Sequence, residues 1–339
     1  MISAAATERR RLVPWRRLSP LLLALAAALL VGGVAWQLWR EPWAVRGIVE
    51  YPMLRKSDIP TAVAVAPDGA VWFTIEFSDA IGVLRNGKIE RFPKGLPNLE
   101  PLGLAVDAQG AAWFTDGPAR AITRMTPDGA VRSFPLSTPI ARLGRLAIAS
   151  DGAVWFSDAT TFSVTRLKDR TFTRHDVGAY RATPFGVAAG ANGAVWATLQ
   201  EANMLVRITS QGEVTQFEVP TRASGLGDIA VDPSGAVWFI EGQANRLGRF
   251  AEGRFVEYSV PTPSAGLTGL ALAPDGAVWF TELRAQRLGR MHSGRVTEFT
   301  LPRPDVRPFG VAVDAANNVW YTDLGGHLGM LTAARARAR

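Results

Sequence analysis

The stretch LTGLALAPDGAVWFTELRAQRLGRMHSGRVTEFTLP, residues Leu267–Pro302, breaks into four short apolar pieces joined by tight polar turns. LTGLALA, AVWFTE, RLGRM and RVTEFTLP are each about 5 to 7 residues long and rich in Val, Leu, Phe, Trp and Thr, the composition of half-buried strands. Asp-Gly and Ser-Gly close the hairpins, since glycine supplies the positive φ that such turns require. No stretch carries a helical period, so this unit predicts a four-stranded antiparallel sheet.

Working outward, the same unit recurs. Its tryptophan stands at Trp72, Trp113, Trp155, Trp196, Trp238, Trp279 and Trp320, spaced by 41 or 42 residues. A period of about 40 residues with four strands per repeat predicts a blade, and seven blades predict an all-β, seven-bladed β-propeller. One sheet cannot bury both faces alone, so the tryptophans are expected to fill the layers between neighbouring blades. The fourth-strand phrase is missing after Trp320, whereas an extra copy, GIVEYPM, sits at Gly47–Met53 before the first blade. That segment is expected to pair with the third strand His327–Leu331 and close the ring, which removes two aggregation-prone edges. The propeller then spans residues 47–332, followed by a basic tail, 333–339.

The N-terminus has a different character. Residues 1–17 carry Arg9, Arg10, Arg11, Arg16 and Arg17, and 18–39 are almost uncharged. At 1.5 Å per residue such a run is long enough to cross about 30 Å of hydrocarbon. The basic side should stay in the cytoplasm, and Trp36, Trp39 and Trp43 suit the outer interface. A single transmembrane signal-anchor at 18–39 and a linker at 40–46 therefore predict a propeller held on the periplasmic or extracellular side of the cytoplasmic membrane. Gly33-Val34-Ala35 would also pass as a cleavage site, so a removed signal peptide is the rival reading.

Composition narrows the chemistry. There are no cysteines, which excludes disulfides, thiolate metal sites and a Cys nucleophile. The net charge of +7 resides in the two tails, leaving the propeller body close to neutral and giving no nucleic-acid surface. The expected partners are the membrane and a small-molecule ligand or an extracytoplasmic protein.

In a blade that meanders outward from the axis, the turn between second and third strands shares one face of the disc with the loops joining blades. That face receives Asp116, Asp158, Glu241, Glu282 and Asp323 from the second strands, and Arg142, Arg145, Arg181, Arg222 and Arg307 from the inter-blade loops. Asn245 and Gln286 stand in the neighbouring turns. The carboxylates are candidates to hold Mg²⁺ or Ca²⁺ through oxygen, or to brace the local backbone. Arg145, Arg181, Asn245, Gln286 and Arg307 are candidates to bind a ligand. His327, following Asp323 across the last turn, is the candidate general base, although the same slot holds plain turn residues in other blades. The linker spans at most about 20 Å, so this loop-rich face should look away from the membrane.

The phrases GLTGLALAPDGAVWFTE, QRLGRM and VTEFTLP, repeated across residues 47–332, resemble the virginiamycin B lyase (streptogramin lyase) family, and NHL-type propellers share much of the pattern. The resemblance implies a seven-bladed fold and a C–O lyase that linearises a cyclic depsipeptide, with Mg²⁺ polarising the substrate and a histidine removing a proton. It also implies histidines in the first strands of the last two blades, in phrases like PHAI and EPHGI, and a metal-binding Glu two residues before the second. Those slots hold Thr268, Phe309 and Arg307 here, and the other blades offer Thr61, Leu102, Gly144, Phe185 and Gly227. Phenylalanine cannot take a proton, and a guanidinium repels a metal. Two functions are therefore carried forward: a tethered propeller that binds a ligand or partner on its outward face, and a metal-assisted lyase or lactone hydrolase built on the strand-end carboxylates.

Overall fold

The computed structural model describes residues 47–98, 101–178 and 182–337, with side chains omitted at 96–98. The predicted tail 1–17, membrane span 18–39 and linker 40–46 lie outside the described residues, as do Arg181 and the last two residues of the basic tail. No helix among the described residues is long and apolar enough to cross a membrane.

Seven four-stranded antiparallel sheets form the propeller. Blades 1 to 6 run Ile59–Asn98, Leu104–Pro135, Leu143–Asp176, Pro184–Glu218, Leu226–Ser259 and Leu267–Thr300. Blade 7 takes three strands from Pro308–Leu331 and its outermost from Ile48–Pro52. The pairing runs from Ile48 opposite Leu331 to Pro52 opposite His327, so the N-terminal strand closes the ring as the repeat count requires. The tail beyond 332 is helical from Ala333 to Arg337 and seals the same corner, with Thr332 N–H donating to Gly47 O at 2.9 Å.

Blade 6 shows why the sequence folds this way. Ala273 N–H reaches Ala277 O at 2.8 Å across the Pro-Asp-Gly turn, Asp275 Oδ1 accepts from Ala277 N–H, and Gly276 adopts φ +81. The tryptophans fill the inter-blade layers: Trp279 shares a core with Val311, Val319 and Leu331 of blade 7, and Trp72 with Ala112, Phe114 and Met125 of blade 2.

One irregularity positions the site. In six of the seven blades the innermost strand shifts register against its neighbour, between Pro60 and Val63, Leu143 and Leu146, Pro184 and Val187, Leu226 and Ile229, Leu267 and Leu270, and Pro308 and Val311. Each shift is a β-bulge, a device that re-aims side chains next to sites. The bulged pairs are Thr61-Ala62, Gly144-Arg145, Phe185-Gly186, Gly227-Asp228, Thr268-Gly269 and Phe309-Gly310.

Candidate functional site

The bulges are stitched together by a ring of hydroxyls. Thr74, Thr198, Thr281 and Thr322 each accept the N–H of the bulge's second residue, from Ala62, Gly186, Gly269 and Gly310. They then donate to a carbonyl of the next blade: Pro101, Gly227, Phe309 and Thr61. Ser157 makes the same reach to Phe185 O at 2.7 Å. Blade 5 breaks the ring, because Ile240 stands where the others carry Thr or Ser.

Asp228 repairs that gap. It is the second residue of the blade 5 bulge, and its Oδ2 accepts Leu270 N–H of blade 6 at 3.2 Å. The same oxygen lies 3.3 Å from Arg145 Nη2. Arg145 belongs to blade 3, two blades away, so the ion pair spans the central channel. Arg145 Nη1 donates to Leu102 O of blade 2 at 2.9 Å, and its guanidinium carbon stands 5.8 Å from the Phe185 ring centroid of blade 4. At this register the other five blades carry only Ala62, Gly103, Gly186, Gly269 and Gly310. A Cβ added at Gly310 would come within 2.4 Å of Thr61 O, so neighbouring blades crowd together here. Arg145 is a sequence candidate, but it stands at the bulge of the strand Leu143–Ile148 and not on the inter-blade loop where the sequence placed it; Asp228 was missed. The available signal was a pair of opposite charges in a column otherwise holding Gly and Ala.

Two concavities open on the loop face. One of ≈ 610 Å³ is lined by Leu102, Pro118, Arg142, Leu143, Phe185 and Gln200, among others. Another of ≈ 740 Å³ is lined by Gln200, Leu226, Thr268 and Arg284, among others. Gln200 borders both, so the two adjoin, and together they make up the loop-face funnel over blades 2 to 6.

The strand-end carboxylates do not converge. Among the described residues no three His, Asp or Glu side chains form a group placed to hold a metal ion. Asp116 pairs with Lys94 at 3.2 Å, and Asp158 accepts from Thr160 N–H and Thr161 Oγ1. Glu241 and Glu282 are fully buried, with no well-formed hydrogen bond to either carboxylate oxygen. Burial first, and then the charge of Glu257, push Glu241 up to about 7 against the pull of Arg246 and Ser224. Burial and Glu298 push Glu282 up to about 8 against Arg287. Asp323 goes the other way. Burial alone would raise it, but His327, the N–H groups of Arg307 and Gly325, and the Arg303 guanidinium together hold it at about 2.

The remaining candidates have local tasks. Asn245, at φ +57, donates from Nδ2 to Val260 O and Thr262 O and accepts from Ala265 N–H, bracing the next inter-blade loop. Gln286 donates to Pro304 O in the same way at 2.6 Å. Arg307 is exposed on the loop face, with Nη2 on Leu324 O at 3.0 Å. His327 Nδ1 lies 3.5 Å from Asp323 Oδ2, an electrostatic contact longer than a good hydrogen bond.

A sequence profile of the virginiamycin B lyase family matches residues 44–181 and 145–337. This chain belongs to the virginiamycin B lyase family. It is 34% identical over 189 residues to a virginiamycin B lyase of Nocardia farcinica (strain IFM 10152), a match covering 56% of this chain and 65% of that relative. The chain thus spans just under two thirds of that relative's length. A catalytically inactive His-to-Ala variant of virginiamycin B lyase from Staphylococcus aureus, solved with quinupristin, superposes with a TM-score of 0.79 at 27% identity, covering 84% of this chain and 98% of that one. A streptogramin B lyase structure gives 0.79 at 26% identity, covering 84% and 96%. The family machinery implied by sequence does not fit the residues present. Thr268 Oγ1 is engaged with Thr281 Oγ1 at 2.8 Å and Phe309 O at 3.0 Å, Phe309 has no titratable group, and a guanidinium stands at position 307. These donors supply neither a base nor a seat for Mg²⁺.

Proposed function

We propose that this member of the virginiamycin B lyase family is a membrane-tethered, extracytoplasmic propeller that binds a small-molecule ligand in its loop-face funnel and does not open streptogramin rings. One observation carries the reading: the loop face holds a funnel, while the bulge positions of blades 6 and 7 hold Thr268 and Phe309 in inter-blade bonding. A lyase needs a general base within hydrogen-bond reach of the proton it removes. The relative inactivated by one His-to-Ala change supports the weight placed on the missing imidazole. The tether rests on the basic, then apolar, N-terminal sequence.

The full chain incubated with quinupristin and Mg²⁺, and followed by mass spectrometry and chromatography for the linear isomer, should show no conversion under conditions in which the Staphylococcus aureus enzyme completes it. Metal-dependent ring opening would sink the reading. The contact between His327 and Asp323 favours one alternative, a metal-assisted C–O lyase or lactone hydrolase. That alternative requires a Tm increase with Mg²⁺ or Ca²⁺ that is lost in Asp323→Asn, because a ligand of the folded state alone raises Tm.

A further inference from the structure

The turn face, opposite the funnel, carries its charge unevenly. Its outer rim is built from the turns between third and fourth strands. In blades 2 to 5 each of these turns includes an acid: Asp128, Asp169, Glu213 and Glu252. In blades 1 and 6 they read Asn86-Gly87-Lys88 and Ser293-Gly294-Arg295, with a cation and no acid. Lys88 and Arg295 are exposed, and neither has an ion-pair partner among the described residues. These two blades flank blade 7, so the basic sector is centred there.

Blade 7 has no turn at this place, because its outermost strand comes from the other end of the propeller, and the helix Ala333–Arg337 occupies the corner instead. Ala333 N–H donates to Asn318 Oδ1 at 2.9 Å, and Asn318 belongs to the blade's turn between first and second strands, so the helix lies on the turn face. Ala336 is buried in the blade 7 core. Arg337 is exposed and Arg335 half-buried, and neither is ion-paired among the described residues. A Cβ added at Gly47 would fall 2.8 Å from Arg335 Cβ, so these cations stand where the N-terminal strand begins. The aspartates of the inner turns offset them little. Asp275 pairs with Arg290 at 3.1 Å, and Asp314 accepts the N–H groups of Ala316 and Asn318 and the Trp320 indole. Asp68 is exposed, but it stands on an inner turn, nearer the axis.

We propose that this sector, formed by Lys88, Arg295, Arg335 and Arg337, rests on anionic lipid headgroups and gives the propeller a second, electrostatic attachment. The inference rests on the proposed membrane tether and adds the surface against which the tethered domain lies. Screening limits such attraction to about 8 Å at physiological ionic strength, so only cations held close to the bilayer count. These four surround the point where residues 40–46 join the first strand, the part of the propeller that a short linker keeps nearest the membrane. Each Lys or Arg near an anionic surface favours contact by about 5-fold. The edge formed by blades 6, 7 and 1 is then drawn down, and the funnel on the opposite face opens away from the bilayer.

The chain has no cysteine, so one dye placed through Ser293→Cys in blade 6, or through Gln211→Cys in blade 4, reports height above the bilayer by energy transfer to a headgroup dye. The full chain is compared in nanodiscs of phosphatidylcholine with and without phosphatidylglycerol. Transfer from position 293 should rise with phosphatidylglycerol and fall back in about 1 M salt, where screening shortens to about 3 Å. Transfer from position 211 should not rise. Arg335→Gln with Arg337→Gln should cut the docked population on the order of 25-fold and lose the rise. Glutamine keeps the Cβ and Cγ that pack at Gly47, and an unchanged Tm checks the fold. Lys88→Gln with Arg295→Gln, on exposed turns of other blades, should weaken the rise as well, whereas Arg170→Gln in blade 3 should leave it intact. Transfer from position 293 that is equal in both lipids, or indifferent to salt and to the arginine pair, overturns lipid docking and leaves the cations to an acidic protein, with the tether standing. A full chain that fails to float with vesicles in about 1 M salt overturns the tether and the docking together.

Discussion

Glu241, Glu282 and Asp323 occupy the same strand-end position in blades 5, 6 and 7 but live in opposite electrostatic states. In blades 5 and 6 the arginine at the start of the third strand, Arg246 or Arg287, pairs with Glu257 or Glu298 of the fourth strand and with a loop threonine, Thr221 or Thr262. The inner glutamates are left with burial and a nearby like charge, and both raise a carboxyl pKa. In blade 7 the two residue types trade places. His327 opens the third strand, and the loop position holds Arg303, which reaches both Glu50 and Asp323. With His327 on the strand and Arg303 in the loop, Asp323 gains favourable contacts from both, and its pKa falls where those of Glu241 and Glu282 rise. Between about 4.5 and the folded values near 7 and 8, folded Glu241 and Glu282 retain protons that the unfolded chain has released. Stability is thus highest below that window and falls as pH rises through it. Glu282→Gln should melt close to wild type at pH 5 and several degrees above it at pH 9; an equal shift at both would contradict the assignment. Asp323 has the reverse sign, its contribution being present above about 3.8 and lost as pH falls toward 2. Sequence places all these carboxylates in one column, and nothing in the column distinguishes them. The difference comes from His327, the N–H groups of Arg307 and Gly325, and the Arg303 guanidinium around Asp323, none of which is marked in the column itself.

Each second strand and its fourth-strand neighbour on the same face form one aromatic pair, and the pair is present in every blade. Trp72 meets Phe92, Trp113 meets Phe134, Trp196 meets Phe217, Trp238 meets Tyr258, Trp279 meets Phe299 and Trp320 meets Tyr51, with ring centroids between 5.2 and 6.1 Å. In blade 3 the partner is His175, stacked on Trp155 at 5.2 Å. His175, on the outermost strand, is thus an aromatic filler, and burial lowers its pKa. Below 6.5 the unfolded chain takes a proton that folded His175 resists, so its presence makes stability fall as pH drops. His175→Phe should remove that dependence, with a gain of about 1 kcal/mol that widens from pH 8 to pH 5. Chemical denaturation at the two pH values reads it, and a gain that narrows toward acid would refute it. The strand pattern and the tryptophan phase were legible because every repeat states them again. The Arg145–Asp228 pair was only half legible. Its partners sit in non-neighbouring blades and meet through bulges, which change side-chain direction without leaving any mark in the alternation of residues.

Closure joins these local devices into one molecule. The N-terminal strand supplies blade 7 with its aromatic partner Tyr51, places Ile48 in a core with Val319 and Leu331, and brings Glu50 to the Tyr321 hydroxyl at 3.0 Å and to Arg303 Nε at 2.9 Å. Glu50 is the counterpart of Glu257 and Glu298, so one fourth-strand acid arrives from the far end of the chain. Removing the strand would leave His327–Leu331 as an open edge, Trp320 without its stacking partner, and Arg303 with only Asp323 and the exposed Asp305 as carboxylate partners. An exposed, apolar edge strand templates pairing between molecules. A chain beginning at Leu54 should therefore elute as oligomers or aggregate, with a broad melt many degrees below that of a chain beginning at Arg46. The peptide RGIVEYPM, which carries every side chain of the missing strand, should restore monomers and raise the melt when added in excess, because it binds only the folded ring. The decisive comparison adds the same peptide with Glu50 replaced by Ala. It offers the backbone pairing but leaves the Tyr321 hydroxyl without its acceptor and Arg303 with Asp323 and Asp305, so it should rescue less well. A truncated chain that stays monomeric with an unchanged melt would show that six complete blades and three strands suffice, and that the seventh sheet is not what holds the ring shut.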